Sequence, residues 1–259
     1  MNRITRLFAE KQTNILNVYF TAGYPYLNST GTIIAALDKA GVDLVEVGMP
    51  YSDPLADGPT IQESGQVALK NGMQLSLLFD QIAEVRKTVE VPLVLMGYFN
   101  QVMQFGERKF LEKCKEVGVD GLILPDLPIY EYEHFYKDWF EDLDLGISFL
   151  ISPQSGTERI RKIDELTRGF IYMVADAAVT GATGGITEIQ LAYFQRIRGM
   201  DLKQPRLIGF GITDSAAFQT VSAYASGGII GSAFIRLLGG LSEAALPEAI
   251  DHWVKSIRG

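Results

Sequence analysis

Short apolar runs alternate with longer amphipathic segments along the chain. Apolar runs bounded by Gly or Pro are typical of buried strands, whereas apolar spacings of three and four indicate helices. The strands predicted in this way cover residues 15–21, 44–47, 93–96, 121–124, 146–151, 170–174, 207–208 and 228–230. The predicted helices cover residues 4–10, 28–40, a stretch ending at 70, 75–88, 107–117, 130–141, 157–166, 188–198, 214–224 and 241–257.

Regular alternation of strand and helix indicates a parallel sheet. Eight strand–helix units in 259 residues match a closed (β/α)8 barrel, the TIM barrel. We therefore expect an α/β fold with one barrel domain over residues 1–259 and a short extra helix at the amino terminus. A doubly wound open sheet is the alternative, and it is disfavoured because the first strand, ending at Thr21, is not followed by the glycine fingerprint of dinucleotide-binding folds.

The composition excludes several classes of function. A net charge of −8 argues against nucleic-acid binding, and no apolar run is long enough to predict a membrane-spanning helix. The amino terminus becomes polar at Glu10, before a signal-peptide core could form, so a cytoplasmic protein is expected. With Cys114, His134 and His252 as its whole complement of Cys and His, the chain is not expected to hold a zinc ion or a Ser-His-Asp triad.

Glu46 is out of place in the second predicted strand, because parallel strands covered on both faces are normally continuous apolar runs. Burial without a partner raises the pKa of a carboxyl group. Asp57 follows on a loop stiffened by Pro54 and Pro59, so the two acids can face one pocket in a layout suited to acid–base chemistry. The alternative from the residues alone is structural: Glu46 paired with an Arg or Lys in the core, and Asp57 forming an Asp-Gly turn.

The loops after the last three strands are rich in Gly and hydroxyl residues. They contain Gly181, Gly211, and the pair Gly231-Ser232, each next to a predicted helix start. Backbone N–H groups at a helix amino terminus bind anions, and barrels often bind phosphate at this end. The long loop 175–186 is typical of a lid over an active site. The alternative is that these glycines only permit tight turns.

Several motifs occur in a characteristic order. Residues 46–62 read Glu-Val-Gly-Met-Pro-Tyr-Ser-Asp-Pro-Leu-Ala-Asp-Gly-Pro-Thr-Ile-Gln. Shorter motifs follow: Leu-Met-Gly-Tyr-Phe-Asn at 95–100, Leu-Pro-Asp-Leu-Pro at 124–128, Val-Thr-Gly at 179–181, Gly-Phe-Gly-Ile at 209–212 and Gly-Ser-Ala at 231–233. In order and spacing, from about residue 15 to 240, the chain resembles the tryptophan synthase alpha subunit family.

The resemblance implies a metal-free retro-aldol cleavage of indole-3-glycerol phosphate to indole and glyceraldehyde 3-phosphate. It implies that Glu46 is the general acid–base and that Asp57 holds the indole N–H and stabilises the cationic intermediate. The remaining residues that it implicates are Tyr19, Tyr98, Tyr172, Thr180 and Phe210 for the substrate, and Gly181, Gly211, Gly231 and Ser232 for its phosphate.

The resemblance also implies a partner. This is a beta subunit that uses pyridoxal phosphate, in a heterotetramer of two alpha and two beta chains, and no cofactor is expected in the alpha chain itself. The contact surface is expected around residues 51–54, 100–104 and 128–130. Two positions depart from the family pattern: Ala175-Asp176 stands where Ser-Arg is common, which bears on lid closure, and Tyr130 stands where Glu is frequent.

Two other functions are compatible with a barrel of this kind. One is a non-catalytic subunit that binds a phosphorylated ligand and regulates a partner, which would not need to retain Glu46 and Asp57. The other is a ring-closing enzyme such as indole-glycerol-phosphate synthase. Such enzymes use a lysine general acid in the barrel, and no predicted strand of this chain carries a lysine.

Overall fold

The computed structural model describes residues 2–54, 57–175, 186–209 and 211–259. All paired strands within these ranges run parallel in one sheet. The strands are β1 (Ile15–Thr21), β2 (Leu44–Gly48), β3 (Leu93–Met96), β4 (Gly121–Ile123), β5 (Gly146–Ile147), β6 (Leu150–Ile151), β7 (Ile171–Val174), β8 (Arg206–Gly209) and β9 (Gly227–Ile230).

Helices follow the strands and form the outer layer. They are α1 (Arg3–Glu10), α2 (Ser29–Lys39), α3 (Pro59–Lys70), α4 (Leu75–Val85), α5 (Phe99–Phe105), α6 (Glu107–Val117), α7 (Ile129–Glu131), α8 (Lys137–Asp142), α9 (Thr157–Leu166), α10 (Glu188–Arg198), α11 (Ser215–Ser222), α12 (Ser232–Gly239) and α13 (Leu246–Arg258). A π-helical turn, Tyr132–Tyr136, joins α7 to α8, and a 3-10 turn, Glu243–Ala245, precedes α13. Among the described residues, no helix is both long and apolar enough to cross a membrane.

The sheet closes on itself through the segment that contains β5 and β6. The strand order is β5-β4-β3-β2-β1-β9-β8-β7-β6, so the two ends of the order are separated in the chain only by Ser148 and Phe149. On one side the Ser148 amide donates to the Leu122 carbonyl at 3.0 Å, and on the other the Tyr172 amide donates to the Phe149 carbonyl at 2.9 Å. The sheet is therefore a closed (β/α)8 barrel and not an open sheet.

The fifth barrel strand differs from its prediction as one continuous strand over 146–151. It consists of β5, which pairs with β4, and β6, which pairs with β7. The change of partner occurs where the backbone is crowded, because a Cβ at Gly146 would lie 2.7 Å from the Arg168 carbonyl oxygen. Closure of the barrel, which local sequence does not specify, divides this strand.

An unpredicted helix, α5, begins where the sequence predicts only the end of β3. Its first amide, on Phe99, donates to both carboxylate oxygens of Asp126 at 2.8 and 3.0 Å. Asp126 lies in the loop after β4, so the side chain that caps α5 is distant in sequence. A cap of this kind satisfies an amide that has no partner within the helix, and it is invisible to a reading of local residues.

The barrel interior has an apolar layer at its amino-terminal end. The side chains in this layer come from most strands and from α1, namely Ile4, Ile15, Leu44, Val94, Ile123, Phe170, Leu207 and Ile229. Leu7 and Phe8 of α1 pack against them, so the predicted amino-terminal helix covers this end of the barrel. Apolar side chains therefore fill the amino-terminal end of the barrel interior.

Asp120 fixes α1 and the start of β3 at the covered end. Its Oδ1 accepts a hydrogen bond from Arg3 at 3.2 Å, and its Oδ2 accepts from Arg86 at 3.2 Å and from the Leu93 amide at 2.9 Å. Its backbone carbonyl also accepts from the Asn2 side chain at 2.6 Å. Asp120 is 4% exposed, so these charges interact with little screening by water.

We predict that Asp120→Ala lowers the free energy of unfolding by about 3 kcal/mol, because it removes the carboxylate that pairs with the largely buried Arg86 guanidinium. Urea denaturation of both proteins measures the difference. The matched control is Asp251→Ala, which breaks an i,i+4 pair with Lys255 on the surface of α13 and should cost less than about 0.5 kcal/mol. Equal losses in the two variants would contradict a structural role for the Asp120 cluster.

Candidate active site

Glu46 lies in the barrel interior, directly above the apolar layer. It is the third residue of β2, pairs in register with Tyr19 of β1, and is fully buried. Its Oε2 accepts a hydrogen bond from Asn17 Nδ2 at 3.0 Å, and its Oε1 has no hydrogen-bond partner within the described ranges. In the described part of the chain no Lys, Arg or His forms an ion pair with it, so the structural alternative of a paired core carboxylate is not found there.

This environment keeps the Glu46 carboxyl group neutral at pH 7. Burial removes the water that would solvate a carboxylate and raises its pKa from 4.5 to about 8. The hydrogen bond from Asn17 favours the ionised form and opposes this rise, whereas the negative charge of Asp57 adds to it. Glu46 is thus a carboxylic acid that can donate a proton under physiological conditions.

Asp57 is held on the loop that leads into α3. Its backbone amide donates to the Pro54 carbonyl at 3.1 Å, and its own carbonyl accepts from the Gln62 side chain at 2.8 Å. Partial burial raises the pKa of its carboxyl group to about 6, and the Tyr98 hydroxyl, 3.4 Å from its Oδ2, opposes that rise. At pH 7 Asp57 is therefore mostly ionised while Glu46 is protonated, the separation of pKa values expected of an acid and a charge-stabilising carboxylate.

Tyr19 and Tyr172 form the aromatic walls around Glu46. Two glycines give their rings room, since a Cβ at Gly48 would overlap the Tyr19 hydroxyl and a Cβ at Gly209 would overlap the Tyr172 hydroxyl. Burial raises the pKa of the Tyr172 hydroxyl well above its ordinary value, and the negative charges of Glu46 and Asp57 raise it further. Burial and the same two carboxylates also raise the Tyr19 pKa. These groups therefore share one pocket.

Three of the residues predicted to bind phosphate follow the adjacent strands β8 and β9. Gly211 has a φ of +69°, a left-handed conformation that favours glycine. Gly231 is the N-cap of α12 and Ser232 its first residue, so backbone amides at this helix start have no carbonyl partner within the helix. A Cβ on Gly231 would lie 3.3 Å from the Tyr19 ring, so the start of α12 opens beside the aromatic wall.

The structure thus brings together Tyr19, Glu46, Asp57, Tyr98 and Tyr172, and it puts Gly211, Gly231 and Ser232 at the same end of the barrel. Thr180, Gly181 and Phe210 lie outside the described residues, as does Asp176 of the Ala175-Asp176 departure. Within the described ranges, no cluster of three or more His, Cys, Asp or Glu side chains is placed to hold a metal ion.

Asn17 is the residue of this pocket that the sequence analysis missed. It lies in the run Ile-Leu-Asn-Val-Tyr-Phe-Thr of β1 and is fully buried. The signal was present, because an amide in an apolar strand is as anomalous as the Glu46 carboxyl that drew attention in the next strand. What the sequence does not give is the register that places the two side chains together.

Comparisons with known proteins decide the family. A family model described as the tryptophan synthase alpha chain matches residues 5–253. The chain belongs to the tryptophan synthase alpha chain family. A tryptophan synthase alpha chain of Parabacteroides distasonis is 52% identical over 258 residues, covering 100% of both chains. One of Flavobacterium psychrophilum is 53% identical over 238 residues, covering 92% of this chain and 94% of the relative.

Solved structures agree with this family assignment. The tryptophan synthase A-subunit of Pyrococcus furiosus superposes with a TM-score of 0.87 at 32% identity, covering 95% of this chain and 98% of that one. A tryptophan synthase structure from M. tuberculosis, in an aminoacrylate-bound form, gives a TM-score of 0.85 at 27% identity over 100% of both chains. Family membership makes the chain a lyase of the tryptophan synthase reaction, and it confirms the resemblance found in the sequence.

We predict that Glu46→Gln stabilises the fold, and more so as the pH rises. The pKa of this carboxyl is about 8 in the native state and near its ordinary 4.5 when unfolded. Between these values the unfolded chain binds fewer protons than the native chain, so native stability falls as pH rises through this window. Glutamine cannot ionise, and it retains an oxygen that accepts from Asn17.

Thermal unfolding of the two proteins at about pH 5 and about pH 9 measures this linkage. The gain in Tm should be larger at the higher pH. Glu63→Gln, at an exposed position on α3, is the matched control and should give the same small change at both pH values. A gain for Glu46→Gln that does not depend on pH would show that the native carboxyl is already ionised.

Proposed function

We propose that this chain cleaves indole-3-glycerol phosphate to indole and glyceraldehyde 3-phosphate, and so supplies indole for tryptophan synthesis. The observation that carries the proposal is the pair of carboxyl groups in one pocket, Glu46 protonated and Asp57 ionised at neutral pH. A retro-aldol cleavage at the indole C3 needs a proton donor for that carbon and an anion for the charge that then develops on the ring. The pocket supplies one of each.

In the proposed reaction Glu46 donates its proton to the indole C3 that bears the glycerol side chain. The ring becomes an indoleninium cation, with the positive charge shared by its nitrogen. The bond from C3 to the glycerol carbon then breaks, its electron pair restores the aromatic indole, and the adjacent hydroxyl becomes the aldehyde carbonyl. The hydroxyl proton returns to the Glu46 carboxylate, so the enzyme is regenerated without net uptake or release of protons.

Asp57 is proposed to accept a hydrogen bond from the indole N–H. A negative charge at the ring nitrogen stabilises the indoleninium cation more than the neutral substrate, and that difference lowers the barrier. The hydroxyl of Tyr98, which opposes the rise in the Asp57 pKa, keeps this carboxylate charged. Proton donor and anion then act on opposite parts of one ring system.

The remaining predicted residues are proposed to hold the substrate. Tyr19, Tyr98 and Tyr172 offer aromatic and hydroxyl surfaces to the indole and the glycerol chain, together with Thr180 and Phe210. The phosphate group is proposed to bind the backbone amides around Gly181, Gly211, Gly231 and Ser232. The free amides at the start of α12 and the left-handed backbone at Gly211 support this, because both suit the close approach of an anion.

A beta subunit is proposed as the partner, in an assembly of two alpha and two beta chains, with pyridoxal phosphate held by the beta chain. Solved relatives include a tryptophan synthase complex from Pyrococcus furiosus. Support from this chain comes from exposed apolar side chains on the active-site rim, with Met103 54% exposed and Tyr130 61% exposed. A groove of about 560 Å³, lined in part by Tyr51, Asn100 and Gln104, offers a partner a concave surface. The cytoplasmic location stays a prediction from the sequence.

We predict that the purified chain releases indole from indole-3-glycerol phosphate, and that a beta subunit increases the rate. Glu46→Gln and Asp57→Asn should each lower kcat by about a hundredfold or more, because each removes a group that acts in the transition state. Glu63→Gln, on the exposed face of α3, is the matched control and should retain the activity. Absorbance of released indole or coupled oxidation of the aldehyde product measures the rate.

Binding separates this proposal from the alternative of a regulatory subunit. If the substrate binds to the chain and no indole is released, with or without a beta subunit, then the chain is a phosphate-ligand sensor and the lyase proposal is wrong. Full activity of Glu46→Gln would be compatible with the proposed reaction, but it would show that Glu46 is not the acid.

A further inference from the structure

Asn17 occupies a position that stability alone does not explain. It faces Leu44 of β2 on one side and Ile229 of β9 on the other, both members of the apolar layer, and it is fully buried. Burying an amide is unfavourable unless its donors and acceptor find partners. Its Nδ2 donates to Glu46 Oε2, but its Oδ1 has no hydrogen-bond partner in the part of the chain that the structure describes. A leucine or valine here would fill the layer without this cost.

The hydrogen bond from Asn17 distinguishes the two oxygens of the Glu46 carboxyl group. A neutral carboxyl has one protonated oxygen and one that only accepts, and an N–H donor pairs with the accepting oxygen. Asn17 Nδ2 therefore places the proton on Oε1, which has no hydrogen-bond partner among the described residues. Oε1 is the oxygen left available to a substrate.

We propose that Asn17 is a positioning residue for the acid: its amide holds Glu46 Oε2, fixes the rotation of the carboxyl group, and directs the reactive proton on Oε1 into the pocket. The inference rests on the proposed lyase function and assigns Asn17 a part in it. Asn17 itself does not touch the reacting atoms, so its effect reaches the reaction through Glu46.

The hydrogen bond from Asn17 also affects the pKa of Glu46, in the direction opposite to burial and to the charge of Asp57. Among the described residues, the titratable groups that face Glu46 are Tyr19 on β1, Tyr172 on β7 and Asp57 on the loop after β2, while the neighbouring strand β3 has no titratable side chain. Burial and the Asp57 charge both raise the Glu46 pKa, and the Asn17 amide is the group that lowers it. Removing the amide should therefore raise the pKa of Glu46 and also leave its carboxyl group free to rotate.

The test is Asn17→Leu, which keeps the branching of the side chain and suits the apolar neighbours. In the wild-type protein kcat/KM should fall as pH rises through about 8, where Glu46 loses its proton. In the variant this basic limb should move to higher pH, and kcat should fall by about tenfold to a hundredfold while KM changes by less than about twofold. If Asn17 had only a structural role, the substitution would lower kcat, but the basic limb of the pH profile would stay at the same pH.

Asn17→Asp keeps the shape of the side chain and replaces its donor with an acceptor. Its carboxylate would draw the Glu46 proton toward itself and away from Oε1, so kcat should fall although the volume is conserved. This variant also tests the proposal if Asn17→Leu does not fold. Ser148→Ala is the matched control: it removes a buried hydrogen bond to the Phe170 amide elsewhere in the barrel wall, and its pH profile should match wild type.

The outcomes separate this inference from the function on which it rests. Indole release by wild type, its loss in Glu46→Gln, and an unchanged kcat and basic limb in Asn17→Leu would overturn the positioning role alone. Restoration of wild-type kcat by Asn17→Asp would do the same, because shape would then suffice. Absence of indole release by wild type would instead remove the proposed function.

Discussion

The site depends on the burial of one carboxyl group that forms no ion pair with any of the described residues. Glu46 lies in the barrel interior, where the Asn17 amide is its one hydrogen-bond partner among the described side chains, and its carboxylate would be poorly solvated there. The protein resolves this cost by keeping the group protonated, and the same protonation is what a carbon acid–base reaction needs. The same burial therefore affects stability and the proposed chemistry, because it disfavours the Glu46 carboxylate and so keeps a proton on the group that acts as the acid.

The barrel makes this environment by dividing its interior into two layers. Helix α1 and a ring of apolar side chains close the amino-terminal end, and Asp120 secures that closure through Arg3 and Arg86. Water is thereby excluded from below Glu46. Above it, close approach at Gly48 and Gly209 lets two tyrosine rings cover the carboxyl group, while Asp57 sits nearer the surface and stays charged.

Much of this arrangement could be predicted from the residues, and the remainder shows where local sequence is insufficient. The run Ile15–Thr21 is mostly apolar, is buried over its whole length, and is the observed strand β1. Glu46 could be singled out because it breaks such a run in β2. Asn17 breaks the β1 run in the same way, but its meaning depends on the register between β1 and β2, which is a tertiary property. The cap of α5 by Asp126 and the division of the fifth strand likewise depend on segments that meet only in the folded barrel.

The central claim is that Glu46 is a neutral acid at physiological pH. Nuclear magnetic resonance of protein carrying 13C-labelled glutamate side chains tests it directly, with Glu46→Gln used to assign the signal. We expect one carboxyl resonance, absent from the variant, that titrates near pH 8 and far from the ordinary 4.5. A Glu46 resonance that titrates near 4.5 would contradict the account, because the buried group would then be a carboxylate with no proton to give at pH 7.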